Sequence, residues 1–305
     1  MRNVLPVLSV LAVILGVWVL AVVPMNIHQA VDQAQRDGVA VTPDTPAARQ
    51  DVGSIALALR NPGVIADTYA MTRFRLPGPQ QVAGELVQSV FGEKVTSKRS
   101  LVYHAWVTLA PTLLGFAIGT VLGIALAVGI VFSRTMDLSV LPWIIVSQTI
   151  PILALAPMII VVLGAAGFSG VFPKAVISAY LSFFPVVVGM VKGLRSPDAS
   201  QLDLLRTYHA SGVQGFWKLR LPASVPYLFA SLKIGIAAAL VGTIVAELPT
   251  GAQAGFGGRL LVGDQYGRPI ITWAALFGAG ITATLLLWLF GLIERVTLRR
   301  MGVRP

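Results

Sequence analysis

Six stretches of mostly apolar residues constrain this chain more than any other feature: roughly Leu5–Val23, Trp106–Phe132, Val140–Leu163, Val171–Val191, Val225–Ala246 and Ile270–Ile293. At 1.5 Å rise per residue, a helix of about 20 apolar residues spans the hydrocarbon layer of a bilayer. Within that layer a single segment satisfies its own backbone only as a helix. The composition agrees. The chain has 305 residues, 55% hydrophobic and 12% charged, with a mean hydropathy of +0.78, whereas soluble domains carry about a quarter charged residues. An all-α integral membrane protein with six transmembrane helices is therefore expected. The net charge of +10 comes from 23 Lys and Arg against 13 Asp and Glu. Because these basic residues cluster beside the spans, they point to topology and lipid headgroups rather than nucleic acid. The absence of cysteine excludes thiolate metal sites, disulfides and thiol redox chemistry. His28, His104 and His209 stand too far apart in sequence to suggest a metal site, and none is expected. No Gly-x-x-x-x-Gly-Lys-Ser/Thr segment is present, so ATP binding of that kind is not expected in this chain.

Short connections rich in Lys and Arg face the cytoplasm. With the N-terminus inside, the inner segments hold Arg2, Arg134, Lys192, Arg195, Arg206, Lys218, Arg220, Arg295, Arg299, Arg300 and Arg304; the short outer ones hold only Arg259 and Arg268, with Lys174 starting the fourth span. Both termini are thus expected inside. The organisation that follows has an N-terminal transmembrane anchor at 1–24, an external loop at 25–102, and a five-helix core at 103–305 containing a polar cytoplasmic connection at 193–223. The first span reads as a retained anchor rather than a cleaved signal, because no small-x-small site follows Val23-Pro24-Met25. The external loop opens with an extended, turn-rich Val41–Pro46. Helical spacing follows over Asp51–Arg60 and over Pro79–Phe91, the latter with Pro at its first position. These short amphipathic helices either lie on the bilayer or meet a partner outside.

Three features stand out within the spans. Gly115, Gly119 and Gly123 recur every four residues, giving one helix a smooth face for close packing or sliding. Ser147-Gln148-Thr149-Ile150-Pro151 places polar side chains beside a helix-breaking proline, either as a lining of a solute pathway or as interhelical hydrogen bonding at a kink. No acidic residue stands at mid-span: Glu247 falls at the outer end of the fifth, and Lys233 is near enough to the inner end to extend toward water. An ion-coupled carrier needs a membrane-embedded ion site, so energy is expected from elsewhere.

The polar connection contains Asp203-Leu-Leu-Arg-Thr-Tyr-His-Ala-Ser-Gly212, a candidate helix ending at Gly212, then Gln214–Leu219 as a second turn and Leu221-Pro222 as a close. A short helix held along the membrane between two spans can transmit a push from a soluble motor. This segment resembles the coupling (EAA) loop of ABC-importer permeases. Asp203, Leu204 and Leu205 stand at the family's Glu-Ala-Ala positions, His209 where Gly is usual, and Leu219-Arg-Leu-Pro222 matches the ending. Leu76-Pro-Gly-Pro79, Thr108-Leu109 with Gly115-Phe116, Pro151-x-Leu-Ala-Leu-Ala-Pro157, Phe184-Pro185, Ala246-Glu247 and Gly255-Phe256-Gly257 resemble, in order, the nitrate, sulfonate, taurine and thiamine-precursor branch.

The resemblance implies a type I importer (MetI-like) permease fold and a non-enzymatic transport subunit of the bacterial inner membrane. It further implies two copies of an ABC ATPase that binds ATP and Mg, a periplasmic or lipid-anchored solute-binding protein, and a second permease copy. On it, Asp203, Arg206, Tyr208, His209, Ala210, Ser211 and Gly212 contact the ATPase, and Leu221 and Pro222 fix the loop to the fifth span. Ser147, Gln148, Thr149 and Pro151 line the pathway of a small polar solute, from the nitrate, sulfonate and taurine class or a pyrimidine-type vitamin precursor. Two rivals predict features that the sequence lacks. A secondary carrier of a small polar solute needs two similar halves and an ion site, and an intramembrane enzyme needs catalytic groups at one depth.

Overall fold

The computed structural model describes residues 4–72, 74–249 and 254–302. Among these the chain is helical, with no strand. Five helices are long and apolar enough to cross a bilayer, and a bent helix pair makes a sixth if counted as one span. The chain divides into two compact units, Met1–Val102 with Arg259–Phe277, and Tyr103–Gly258 with Gly278–Pro305.

In the first unit, α1 (Val4–Arg36) does not stop at Val23 as the sequence suggests. It runs through Pro24 because the apolar pattern changes partners instead of ending. From Leu5 to Leu20 every side chain but the half-buried Trp18 stays exposed, as a lipid-facing surface requires, whereas Val22, Ile27, Ala30, Val31 and Ala34 are buried. Ile27, Ala30, Val31 and Ala34 pack on Val41, Leu57, Ala58 and Val64. These residues come from the segment carrying α2 (Pro46–Gln50) and α3 (Ser54–Arg60). This segment therefore folds with its own core. Asn26, fully buried, pins it by using its whole amide: Nδ2 donates to the carbonyls of Thr68 (3.1 Å) and Leu76 (2.7 Å), and Oδ1 accepts from the N–H groups of Arg75 (2.9 Å) and Leu76 (3.1 Å). Asn61 does the same for Thr42, donating to its carbonyl at 2.7 Å and accepting from its N–H at 2.8 Å. A lost partner here strands buried polar groups, which is costly. α4 (Pro79–Val87) starts with Pro at its first position and ends in a π-turn over Gln88–Gly92. α12 (Phe256–Gln265) and the start of α13 (Pro269–Arg300) complete the unit, and Trp18 stacks on Trp273 at 5.6 Å between ring centroids.

The second unit is organised by α5 (Leu101–Phe132), α8 (Val171–Leu194) and α11 (Leu221–Glu247). Lipid supplies no hydrophobic drive for helices to associate, so small residues and close backbones hold them. A Cβ added at Gly115 would collide with the Ala175 carbonyl and Ser178, at Gly119 with the Ser182 hydroxyl and, at 2.8 Å, the Ala179 carbonyl, and at Gly123 with Val186 at 2.9 Å. α11 approaches the other side of α8 in the same way, and a Cβ at Gly193 would lie 2.8 Å from that of Ser224. Ser178 donates to the Ala239 carbonyl at 3.1 Å, and Thr112 to the Thr243 hydroxyl at 2.9 Å. Replacement of Gly119 by Leu is expected to cost at least about 1–3 kcal/mol, as overpacking does. The check is a thermal melt of the purified chain, and an unchanged midpoint would show that the seam yields.

The third span expected at Val140–Leu163 is not one helix. It is α6 (Arg134–Ser147) and α7 (Ile152–Ala165), bent by 100°. Pro151 has no N–H to donate to Ser147, so the ladder opens there. The Tyr180 hydroxyl of α8 donates to the Ser147 carbonyl so released. Lys233, expected to extend to water, instead pairs with Glu294 of α13, Nζ to Oε2 at 2.6 Å.

Candidate coupling and translocation sites

The polar connection builds a rigid helix–turn–helix. α9 (Ala199–Thr207) begins earlier than the sequence reading, because Asp198 at its N-cap donates its N–H to the Gln201 side chain at 3.1 Å. It also ends earlier. The stop is His209, not Gly212: His209 has φ of +51°, and is the only described non-glycine residue with positive φ. The His209 N–H donates to the Arg206 carbonyl and the Ala210 N–H to that of Leu205, each at 2.9 Å. Together they form the paired 5→2 and 6→1 bonds of a Schellman cap. Gly212 opens the next helix, α10 (Gly212–Gly215), whose N-cap Ser211 accepts from the Gln214 N–H at 3.3 Å.

From Gly212 the chain is helical without a break to Glu247, so Leu221 and Pro222 do not close the segment. They lie in the helix just after a π-turn at Phe216–Arg220, where the Leu221 N–H reaches back to the Phe216 carbonyl. Pro222 lacks a donor for the carbonyl of Lys218, and widening the turn just before it accommodates that loss. Arg220 anchors this end: it donates to the Leu194 carbonyl at the end of α8 (2.8 Å) and sits 5.9 Å over the Phe132 ring.

On this frame Leu204, Tyr208, Val213 and Trp217 are exposed, Tyr208 by 77% and Trp217 by 62%. Large apolar side chains rising from a capped, anchored turn form an interaction surface. Asp203 and Arg206 pair at 2.9 Å on the same helix, both exposed, and Ala210 is half-buried at the hinge. Because L-residues pay roughly 1–2 kcal/mol in the left-handed region, His209→Gly is expected to stabilise the turn by about 1 kcal/mol. The check is slower hydrogen exchange at the amides of His209 and Ala210.

The expected pathway residues gather at the elbow between α6 and α7. Gln148, Thr149 and Pro151 are exposed and Ser147 is half-buried. Ser147 donates to Ile144 (2.7 Å) and Thr149 to Val146 (2.8 Å), both backbone carbonyls, whereas Gln148 extends its amide from an exposed position.

The sequence reading missed a buried polar cluster centred on Glu247. This carboxylate is wholly inaccessible. It accepts from the Thr108 hydroxyl (3.0 and 3.2 Å) and from the Gly257 N–H (2.8 Å), with Lys174 Nζ at 3.9 Å. The Phe256 N–H donates to Thr108 Oγ1 and the Gly255 N–H to His104 Nδ1, each at 2.9 Å. Gly255 has φ of +98°, and a Cβ on it would strike the carboxylate. The signal available in sequence was an acid at the end of an apolar run followed closely by a Gly-Phe-Gly turn.

A multi-pass helical membrane protein with a broken third span and a rigid, exposed helix–turn–helix between its fourth and fifth spans has the build of a transport permease. The chain matches the family described as the binding-protein-dependent transport system inner membrane component over residues 119–302, and it belongs to that family. It is similar to a probable ABC transporter permease of Haemophilus influenzae, 30% identical over 70% of this chain and 82% of the relative. A formylaminopyrimidine transport permease of Halalkalibacterium halodurans is 30% identical over 60% and 69%. A nitrate import permease of Synechocystis is 29% identical over 69% and 76%. The protein is the transmembrane permease subunit of an ABC importer, in the branch that holds these relatives.

Proposed function

We propose that the exposed row Leu204, Tyr208, Val213 and Trp217, with Asp203, Arg206, His209, Ala210, Ser211 and Gly212, docks a separate cytoplasmic ABC ATPase. One observation carries this reading: large apolar side chains stand exposed on a turn that is capped internally and bonded through Arg220 to α8. A surface so built transmits displacement into the spans instead of absorbing it. In the working assembly two copies of this chain pair, two ATPases bind ATP and Mg on the cytoplasmic side, and a solute-binding protein delivers from outside. Both termini lie in the cytoplasm, and the membrane is the bacterial inner membrane. ATP-driven closure of the ATPases draws the two turns together and reorients the spans. The solute, a small polar molecule of the nitrate, sulfonate and taurine class or of the pyrimidine precursor class, passes the elbow at Ser147–Pro151, where Gln148 offers an amide. The relatives named for formylaminopyrimidine and nitrate support both classes. Purification of the tagged chain from native membranes tests the assembly. A stoichiometric ATPase subunit is expected, and its absence from intact, monodisperse protein would overturn the reading.

A further inference from the structure

Beyond transport, the first unit carries a cluster of charge that the coupling and pathway sites do not use. A cavity of about 280 Å³ is lined by Arg99, Arg259 and Arg268 together with Glu85, Glu93 and Gln88. Arg259 comes from α12, and its Nη2 is fixed by donating to the Arg99 carbonyl at 3.2 Å. Its Nε is buried and has no hydrogen-bond partner. A buried guanidinium N–H without an acceptor is costly. Burial pushes the Arg259 pKa below its ordinary value, Glu85 raises it, Arg268 lowers it further and Glu93 raises it. The lining itself carries three cations and two anions, a surplus of positive charge.

We propose that this cavity binds one small oxyanion, a sulfate, sulfonate or phosphate group, held by the guanidinium charge of Arg99, Arg259 and Arg268. Guanidinium groups present forked donors that match such oxygens, and their hydrogen bonds to an ionised acceptor are the strong ones. The surplus positive charge of the lining is met by such a ligand. Its source is either a free anion or the phosphate of an anionic lipid headgroup. The site stands independently of the coupling assignment, since its elements are not part of the cytoplasmic turn.

The experiment is equilibrium dialysis of radiolabelled sulfate against delipidated, detergent-solubilised protein. Saturable binding to the wild type is expected, weakened at least tenfold in Arg259→Gln and unchanged in Arg299→Gln, an exposed charge elsewhere. Glu85→Gln, which removes an opposing charge, is expected to tighten binding several-fold and keeps the test decisive should Arg259→Gln fail to fold. Added phosphatidylglycerol that displaces the sulfate identifies a lipid headgroup as the source; no displacement identifies a free anion. Absence of saturable binding to the wild type, or equal binding by Arg259→Gln and Glu85→Gln, would overturn the proposal.

Discussion

Ala210→Glu is expected to abolish solute uptake while the chain still inserts and folds. Ala210 is half-buried at the turn between α9 and α10, and its N–H closes the Schellman cap on Leu205. The backbone bond survives the substitution, so α9 keeps its end. What changes is the hinge surface, which gains four side-chain heavy atoms beyond the methyl's position and a negative charge between Tyr208 and Val213. Truncating or blocking a central docking position costs 2 kcal/mol or more, which is about 30-fold in affinity. Uptake should therefore fall by more than about tenfold, and the ATPase should be lost on purification. Ala210→Ser adds one atom and no charge, and is expected to retain both. Normal uptake by the Glu variant, measured with labelled solute in cells containing equal permease, would remove this turn from the coupling surface.

Glu247→Ala is expected to be the most destabilising single change in the core. The carboxylate is inaccessible and serves Thr108, Gly257 and Lys174 together. Its removal leaves a buried N–H without an acceptor and a nearby cation without its counter-charge, the situation that costs about 3–5 kcal/mol in buried pairs. It also frees the Gly255–Gly257 turn from its attachment on that side, leaving the contacts to His104 and Thr108. Glu247→Gln retains an oxygen for Gly257 and should fall between the two. Thermal unfolding of the three proteins in one detergent checks the order, wild type above Gln above Ala. A variant lacking the carboxylate that melts like the wild type would mean that water replaces it at no cost.

Much of this architecture could be read from the residues alone. A lipid-facing helix must be apolar along its length, so hydropathy marked Leu101–Phe132, Val171–Leu194 and Pro269–Arg300 closely. The helical spacing behind Pro79 also marked α4, since proline at a first helical position is a local signal. At the turn, the resemblance placed His209 at the position usually held by Gly, and the positive φ found there explains why glycine suits it. The hinge itself was misplaced to Gly212, because glycine is the usual stop and a histidine carries no sign of a left-handed backbone. The elbow was read as a span with a kink, since Pro151 signals a break but not its angle. At the 100° bend the Ser147 carbonyl accepts from the hydroxyl of Tyr180, 33 residues away, a partner that no local signal announces.

The sequence by itself determined that this chain crosses a membrane, that a cationic amphipathic turn lies between the fourth and fifth spans, and that the importer permease family accounts for both. Hydropathy, charge and capping act over a few residues, and their record is linear. Only the tertiary structure decided that α1 passes from an exposed to a buried, protein-packed half, that Lys233 pairs with Glu294, and that Glu247, Thr108 and His104 hold one turn. It also gathered Arg99, Arg259 and Arg268 around one cavity. These depend on which charged and polar groups meet across long stretches of chain, 139 residues between Thr108 and Glu247. A lone carboxylate at a span's end looks the same in sequence whether it faces water or is enclosed. Burial sets that difference, and burial exists only once the helices have packed.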